Sequence, residues 1–365
     1  MTLTHLFRLP LAAAIIAIAG LMSACTETVG EFHDPVTAAP AAAKTYKAGF
    51  YLTAGELSSR SRTTPPGNYD RGDGIENFID LENRNIRVLI YDLGDRFMTE
   101  FTELTVTPAG DYQSSKRYFI SGSTTTDISS GKFKVIVLAN WPAYPDSSEP
   151  SMDELFSQTF DFDGSQPSVN NPIPMYGIRE INLPEIKPEQ STDLGTIPLI
   201  RALAKIEVIF EDPDENWHLS RLELTRYNTS GFCAPAVTGQ DDYVKDNWNN
   251  DYIGRPFIPA NVIEASNLSF TDAGNGHYVL YVPEFRNVGA GSATARICAD
   301  FAESFLGERY IDLRDSSQPG SPLTDIMRNI WYRITITKLR ETSSPQITVD
   351  VIPYALCDLE PVFGL

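Results

Sequence analysis

Short runs in which apolar and polar residues alternate recur along most of the chain, with turn residues between them. Ala48, Phe50, Leu52 and Ala54 share one face of the first run. Residues 86–93 read Ile-Arg-Val-Leu-Ile-Tyr-Asp-Leu, and Gly94-Asp95 marks a turn behind them. Residues 101–106, 118–121 and 132–138 continue the series, Ala139-Asn140-Trp141-Pro142 stops it, and residues 173–183 close it. Further on, residues 219–227, 276–282, 293–301 and 346–351 follow the same pattern. The most regular run is 330–339, where Tyr332, Ile334 and Ile336 are expected inside and Arg333, Thr335 and Thr337 outside. A period of two bounded by Gly, Pro, Asn and Asp is the signature of half-buried strands. One short helix is expected, where Ser151 and Glu154 stand at capping-box spacing ahead of Leu155 and Phe156. With no repeat of fixed period, the pattern predicts an all-β protein made of sandwiches.

The chain is organised around residues 197–210. Ala204, Ile206, Val208 and Phe210 would point one way, and Lys205, Glu207 and Ile209 the other, as in a half-buried antiparallel strand. Residues 183–196 carry Pro184, Pro188 and Gly195 with no sustained apolar period, and read as a connector. The expected division is two β-rich bodies, 46–196 and 197–365, each long enough to bury its own core.

Residues 1–24 read as an export address. His5 and Arg8 precede an apolar run over 9–19 that is too short to span a bilayer. The run ends Leu21-Met22-Ser23-Ala24-Cys25, with small residues directly before a cysteine, as in a bacterial lipobox; Met22 stands where Leu is usual. Acylation would fall on Cys25, and more than one acyl chain suffices for stable anchoring. Residues 25–45, rich in Ala, Pro and Thr, are expected to form a flexible tether. Residues 58–67, polar and Pro/Gly-rich, come after the first strand and read as open to proteases.

Formal net charge is −19, which disfavours nucleic acid and anionic lipid as partners. Cys233, Cys298 and Cys357 form no Cys-x-x-Cys pair and read as buried free thiols. In the body of the chain His218 and His277 lack zinc-site spacing, and neither Gly-x-Ser-x-Gly nor a P-loop is present. The sequence therefore calls for no enzymatic activity, metal or cofactor. Asp161 with Asp163, and Asp212 with Asp214 and Glu215, fall short of an EF-hand loop and read as solvated carboxylates. Arg71-Gly72-Asp73 reads as a chance tripeptide in a Gly/Asp-rich loop. The polar, aromatic stretch 241–259 reads as a surface excursion whose Trp248 could stack on carbohydrate, whereas Trp217 reads as core.

Residues 135–141 (Val-Ile-Val-Leu-Ala-Asn-Trp), 173–177, 201–208, 277–282 and 327–337 occur in an order that, together with the lipobox, resembles the fimbrillin family. These are the lipoprotein pilins of type V pili in Bacteroides-type bacteria. The resemblance covers most of the mature chain, the stretch 241–259 excepted. It implies two tandem transthyretin-like Greek-key β-sandwiches, export to the outer-membrane surface through the lipid of Cys25, and head-to-tail assembly with other pilin subunits. In shaft subunits, it implies, an Arg-specific protease removes the lipidated N-terminus together with the first strand; the matching positions here are Arg60 and Arg62. The matching donor for the opened groove is the tail 346–365, whose last segment carries Cys357, Leu359, Pro361, Phe363 and Leu365 on one face. Four or five such side chains, at roughly 1.5–3 kcal/mol each, give an upper estimate of about 6–15 kcal/mol. That rivals the stability of a whole domain, about 5–15 kcal/mol. Tip and anchor subunits depart from the scheme, and an anchor keeps its lipid uncut. The alternative outside the family is a non-polymerising surface lipoprotein that binds glycan or host protein through 241–259.

Overall fold

The alternating runs close into four main sheets in a computed structural model. It describes residues 43–53, 75–80, 86–112, 115–211, 218–235, 265–286, 295–302, 307–313, 325–326, 328–337, 346–353 and 362–364. The first half contains β1 (Tyr46–Thr53), a 3₁₀ turn (Ile75–Asn77), β2 (Phe78–Asp80), β3 (Ile86–Tyr91), β4 (Phe97–Glu100), β5 (Thr102–Tyr112) and β6 (Ser115–Thr124). It continues with β7 (Lys132–Ala139), α1 (Met152–Ser157), β8 (Thr159–Asp161), β9 (Met175–Asn182), β10 (Ser191–Pro198) and β11 (Ile200–Arg201). The second half begins with β12 (Leu203–Phe210), β13 (His218–Tyr227), β14 (Ser230–Phe232), β15 (Ala265–Ser269), β16 (Thr271–Gly274) and β17 (His277–Pro283). It ends with β18 (Phe285–Arg286), β19 (Arg296–Ala302), β20 (Gly307–Asp312), β21 (Asp325–Ile326), β22 (Ile330–Thr337), β23 (Gln346–Pro353) and β24 (Val362–Gly364). The fold is all-β, as the alternation predicts.

Two sheets, ordered β10-β1-β6-β5 and β11-β9-β7-β3-β4, face each other across a core that includes Phe50, Leu52, Ile120, Val88, Val135 and Ile181. A second pair, ordered β16-β17-β12-β22-β23 and β15-β13-β19-β20, encloses Ile206, Val208, Phe210, Leu222, Ile297 and Ile334. The β11–β4 sheet is covered on both faces. Val88, Ile90, Val135 and Val137 enter the first core, while Leu89, Tyr91, Ile136 and Leu138 join the larger cluster with Met152 and Leu155 of α1. Burial on both faces explains why β3 and β7 read as nearly unbroken apolar runs. The helix has the expected capping box: Ser151 Oγ accepts from the Glu154 N–H at 3.2 Å, and Glu154 Oε2 accepts from the Ser151 N–H at 2.6 Å.

The structure corrects two readings of the strand pattern. Residues 183–196 are not simply a connector, since β10 occupies Ser191–Pro198 and pairs in parallel with β1. The stretch 197–210 is accordingly three pieces: the end of β10, the two-residue β11 paired with β9, and β12. A bulge hides the strand. Between the Gly49–Asp193 and Tyr51–Thr196 pairs β10 advances one residue more than β1, so buried Leu194 and Ile197 stand three apart instead of two. Gly195, at φ 81°, sits in that bulge, and a Cβ there would come within 2.3 Å of Arg179 Nη1.

The second correction concerns the outer face of the β12 sheet. Lys205, Glu207 and Arg333, expected on a solvated face, are 2, 0 and 4 % exposed. The 3₁₀ turn covers part of this face and brings Glu76, itself 1 % exposed, to Lys205 Nζ at 3.2 Å. Tyr281 donates its hydroxyl hydrogen to Glu76 Oε2 at 3.2 Å. Arg201 Nε donates to the Glu76 carbonyl at 2.9 Å, and Arg201 Nη1 to Asn329 Oδ1 at 2.9 Å. Next along the face, Arg333 lies 4.2 Å over the Trp331 ring and donates from Nε to Glu207 Oε2 at 2.8 Å. These contacts fasten the segment leading into β2 to the second sandwich.

Removing one partner of a buried pair strands the other without water. Glu76→Ala is expected to lower unfolding free energy by about 3–5 kcal/mol in urea titrations. The double variant Glu76→Leu/Lys205→Met should recover most of that loss, because the abandoned charge is then gone as well.

Candidate strand-exchange site

The site is the slot that β1 fills. Tyr46, Ala48, Phe50 and Leu52 project into the first core, each at most 2 % exposed. Burying Tyr46, Phe50 and Leu52 at roughly 1.5–3 kcal/mol apiece gives an upper estimate of roughly 5–9 kcal/mol. The backbone is engaged on both sides: β6 pairs antiparallel from Tyr46–Thr124 to Leu52–Tyr118, and β10 pairs parallel from Lys47–Ser191 to Thr53–Pro198. Without β1, both neighbours would present unpaired N–H and C=O groups along an apolar trench.

The other face of β1 is fitted to one neighbour. A Cβ on Gly49 would come within 2.3 Å of Phe119 Cζ, so the absence of a side chain lets that ring lie over the strand. Tyr51 meets the same ring edge-on at 5.1 Å between centroids. At the start of the strand, the Glu189 N–H donates to the Thr45 carbonyl at 2.8 Å. Tyr46 donates its hydroxyl hydrogen to Asp127 Oδ1 at 2.9 Å. Hydrogen bonds from Ser129 foremost, joined by the Tyr46 hydroxyl, hold the Asp127 carboxyl down at about 2.

The sequence places Ala48, Phe50 and Leu52 on one buried face, and the structure brings them together there. Ala54 lies outside the described residues, as do Cys25, Arg60, Arg62, Cys357, Leu359, Leu365, Trp217 and the stretch 241–259. Of the expected donor 346–365, residues Gln346–Pro353 form β23 at the edge of the β12 sheet, antiparallel to β22 over its whole length. Phe363 falls in β24, which pairs in parallel with β2 and sets Phe363 against Ile79. β10 and Asp127, both part of the slot, carried no legible signal: the bulge breaks the period of β10, and Asp127 stands in an ordinary polar turn. Cys233 and Cys298 are buried free thiols, and burial pushes the Cys233 thiol up to about 12. Among the described residues no group of three His, Cys, Asp or Glu side chains is placed to hold a metal ion.

The sequence model of the fimbrillin-A associated anchor proteins Mfa1 and Mfa2 matches residues 63–288, well over half of the chain. The chain belongs to this fimbrillin-A associated family. The Mfa1/Mfa2 family is one of fimbrial structural proteins, which puts the chain among proteins of the cell-surface fimbrium. Its fold is shared with a Parabacteroides distasonis protein assigned to cell adhesion, at 16 % identity and a TM-score of 0.51, over 88 % of this chain and 99 % of that one. The tip fimbrial protein Mfa3 of Porphyromonas gingivalis, solved with a C-terminal truncation, aligns at 12 % identity and a TM-score of 0.49, over 84 % and 99 % of the two chains. No curated protein matches the sequence.

The Asp127 carboxyl, held down first by Ser129 and then by Tyr46 of β1, gives the fold an acid-sensitive contribution. A carboxyl with a lowered pKa supports the folded form above its unfolded value, near 3.8, and loses that support as pH falls through about 2. Thermal melts of the uncleaved chain are expected to lose stability over this window more steeply than those of Asp127→Asn, which lacks the titrating group.

Proposed function

We propose that this Mfa1/Mfa2-family chain is a fimbrial subunit, exported as a lipoprotein acylated at Cys25, that polymerises by β-strand donation once its first strand is cut away. The observation that carries the proposal is the placement of β1: a core strand bonded on both sides, with the segment that holds Arg60 and Arg62 next in sequence. A cut after either arginine leaves β1 held by noncovalent contacts alone. A strand from the next subunit that fills the slot restores both rows of hydrogen bonds and the apolar burial, which is β-strand addition. The contact is head-to-tail and does not close on itself, so it extends into a filament. The proposed donor is the segment beyond β23, with Cys357, Leu359, Phe363 and Leu365 as its apolar side; using it in this way releases β24 from β2. The proposed division is into two bodies, 46–196 and 197–365; β10, which ends at Pro198, and β11 lie at that boundary.

A second reading is favoured by the family's own description, which names anchor proteins. An anchor keeps the lipid on Cys25 and keeps β1 in place, offering only its tail to a neighbour. An Arg-specific protease separates the two. For a polymerising subunit, treatment of the purified precursor should release the N-terminal fragment and yield a ladder of SDS-resistant oligomers. Arg60→Ala/Arg62→Ala should give neither, and truncation before residue 354 should give cleavage without the ladder. A precursor that is cut and stays monomeric contradicts the polymerising reading; one that resists the cut at both arginines supports the anchor.

A further inference from the structure

Away from the β1 slot, the junction of the two halves holds a cavity of about 440 Å³, lined by residues just after β7, by β8, by the loop ahead of β9, and by Leu203 of β12. From this cavity we infer a binding site for a neutral saccharide, of mono- or disaccharide size. Its volume falls within the range of small-molecule sites, about 300–1,000 Å³, which favour such junctions.

The lining divides into two chemistries. Trp141, Phe160 and Ile173 form an apolar floor, and Asp161, Asn170 and Asn171 supply a carboxylate and two carboxamides at an exposed rim. Among the described residues, none of these three rim side chains is hydrogen-bonded to the protein. A sugar hydroxyl both donates and accepts; a carboxylate accepts, and a carboxamide does both. The C–H face of a pyranose suits the apolar floor. Among the described residues no cationic side chain lines the cavity, which leaves anionic ligands without a counter-charge.

The cavity is also rigid before any ligand arrives. Trp141 Nε1 donates to the Met175 carbonyl at 2.8 Å. Asn140, in the left-handed region at φ 57°, donates from its amide to the carbonyls of Phe78 and Ile173 at 2.7 and 3.0 Å. The Phe160 ring lies against Gly231, where a Cβ would come within 2.4 Å of it. Ser168 and Asn171 exchange backbone hydrogen bonds at 3.1 and 3.0 Å, which fixes the loop carrying the two amides. Preorganisation of this kind lowers the ordering cost of binding.

The test uses the uncleaved full chain, so its outcome is independent of strand exchange. Saturation-transfer NMR and calorimetry would be run with glucose, galactose, mannose, N-acetylglucosamine, maltose and lactose at millimolar concentration, with choline as a cationic probe. At least one sugar is expected to bind. Asp161→Asn and Asn171→Ala should each weaken it by about tenfold, the scale of one lost hydrogen bond in a site that includes a charged group. Asp153→Asn, on the exposed side of α1, should leave binding unchanged. The inference is overturned if no sugar in the panel binds, if sugar binding is indifferent to both rim variants, or if choline binds and the sugars do not.

Discussion

The first sandwich depends on a strand that contributes to both of its neighbours at once. β1 supplies hydrogen-bond partners to β6 on one side and β10 on the other, and its inward side chains fill the space between two sheets. A strand in the middle of a sheet is ordinarily the least removable part of a fold, because its loss exposes two rows of backbone groups and an apolar face. Here the same strand is the first element of the described chain, and a polar, Pro/Gly-rich stretch comes next in the sequence. The second sandwich repeats the arrangement: β12 lies between antiparallel β17 and parallel β22. There, however, the strand comes directly after β10 and β11, so its leading end is continuous with the first sandwich.

A buried set of charges fastens the halves together. Glu76, Lys205 and Tyr281 meet where the 3₁₀ turn lies on the β12 sheet, and Arg201 ties the same turn to Asn329. Such groups add little net stability over an apolar contact of the same shape, since each must shed water. They do fix position: only one placement of the turn satisfies the carboxylate, the ammonium and the guanidinium. A second buried pair, Arg328 with Glu284, plays a similar part. Its guanidinium also reaches the Phe232 and Cys233 carbonyls and holds the β14 segment on which β8 is paired.

Much of this could be read from the chain alone, and the misreadings have physical causes. The alternating runs at 48–52, 204–210 and 330–337 are strands with their apolar faces inside, and the runs at 86–91 and 132–139 are strands too, though buried on both faces rather than half-buried. The capping box at Ser151 is local chemistry and needed no tertiary information. β10 was not legible, because its bulge turns a period of two into a spacing of three, and because its glycine mimics a break. The burial of Lys205, Glu207 and Arg333 was not legible either. A charged residue on the outward phase of a strand looks solvated until something distant in sequence covers it, and Glu76 lies more than a hundred residues upstream of Lys205. The rim of the saccharide cavity was visible only in part: Asp161 stood out as an acidic residue, but nothing in the sequence set it beside Trp141 and Asn171.

The two walls of the β1 slot differ in kind. Parallel pairing gives slanted, evenly spaced hydrogen bonds, and antiparallel pairing gives alternating narrow and wide ones. A visiting strand that reproduces both must run head-first in the same sense as the one it replaces, since reversing it would exchange the two geometries. The parallel wall also carries an extra residue at Gly195, so sliding the visitor by one position would misalign it on that side first. Any fibre assembled through such a slot would therefore have a polarity written into each joint, with every subunit facing the same way from base to end.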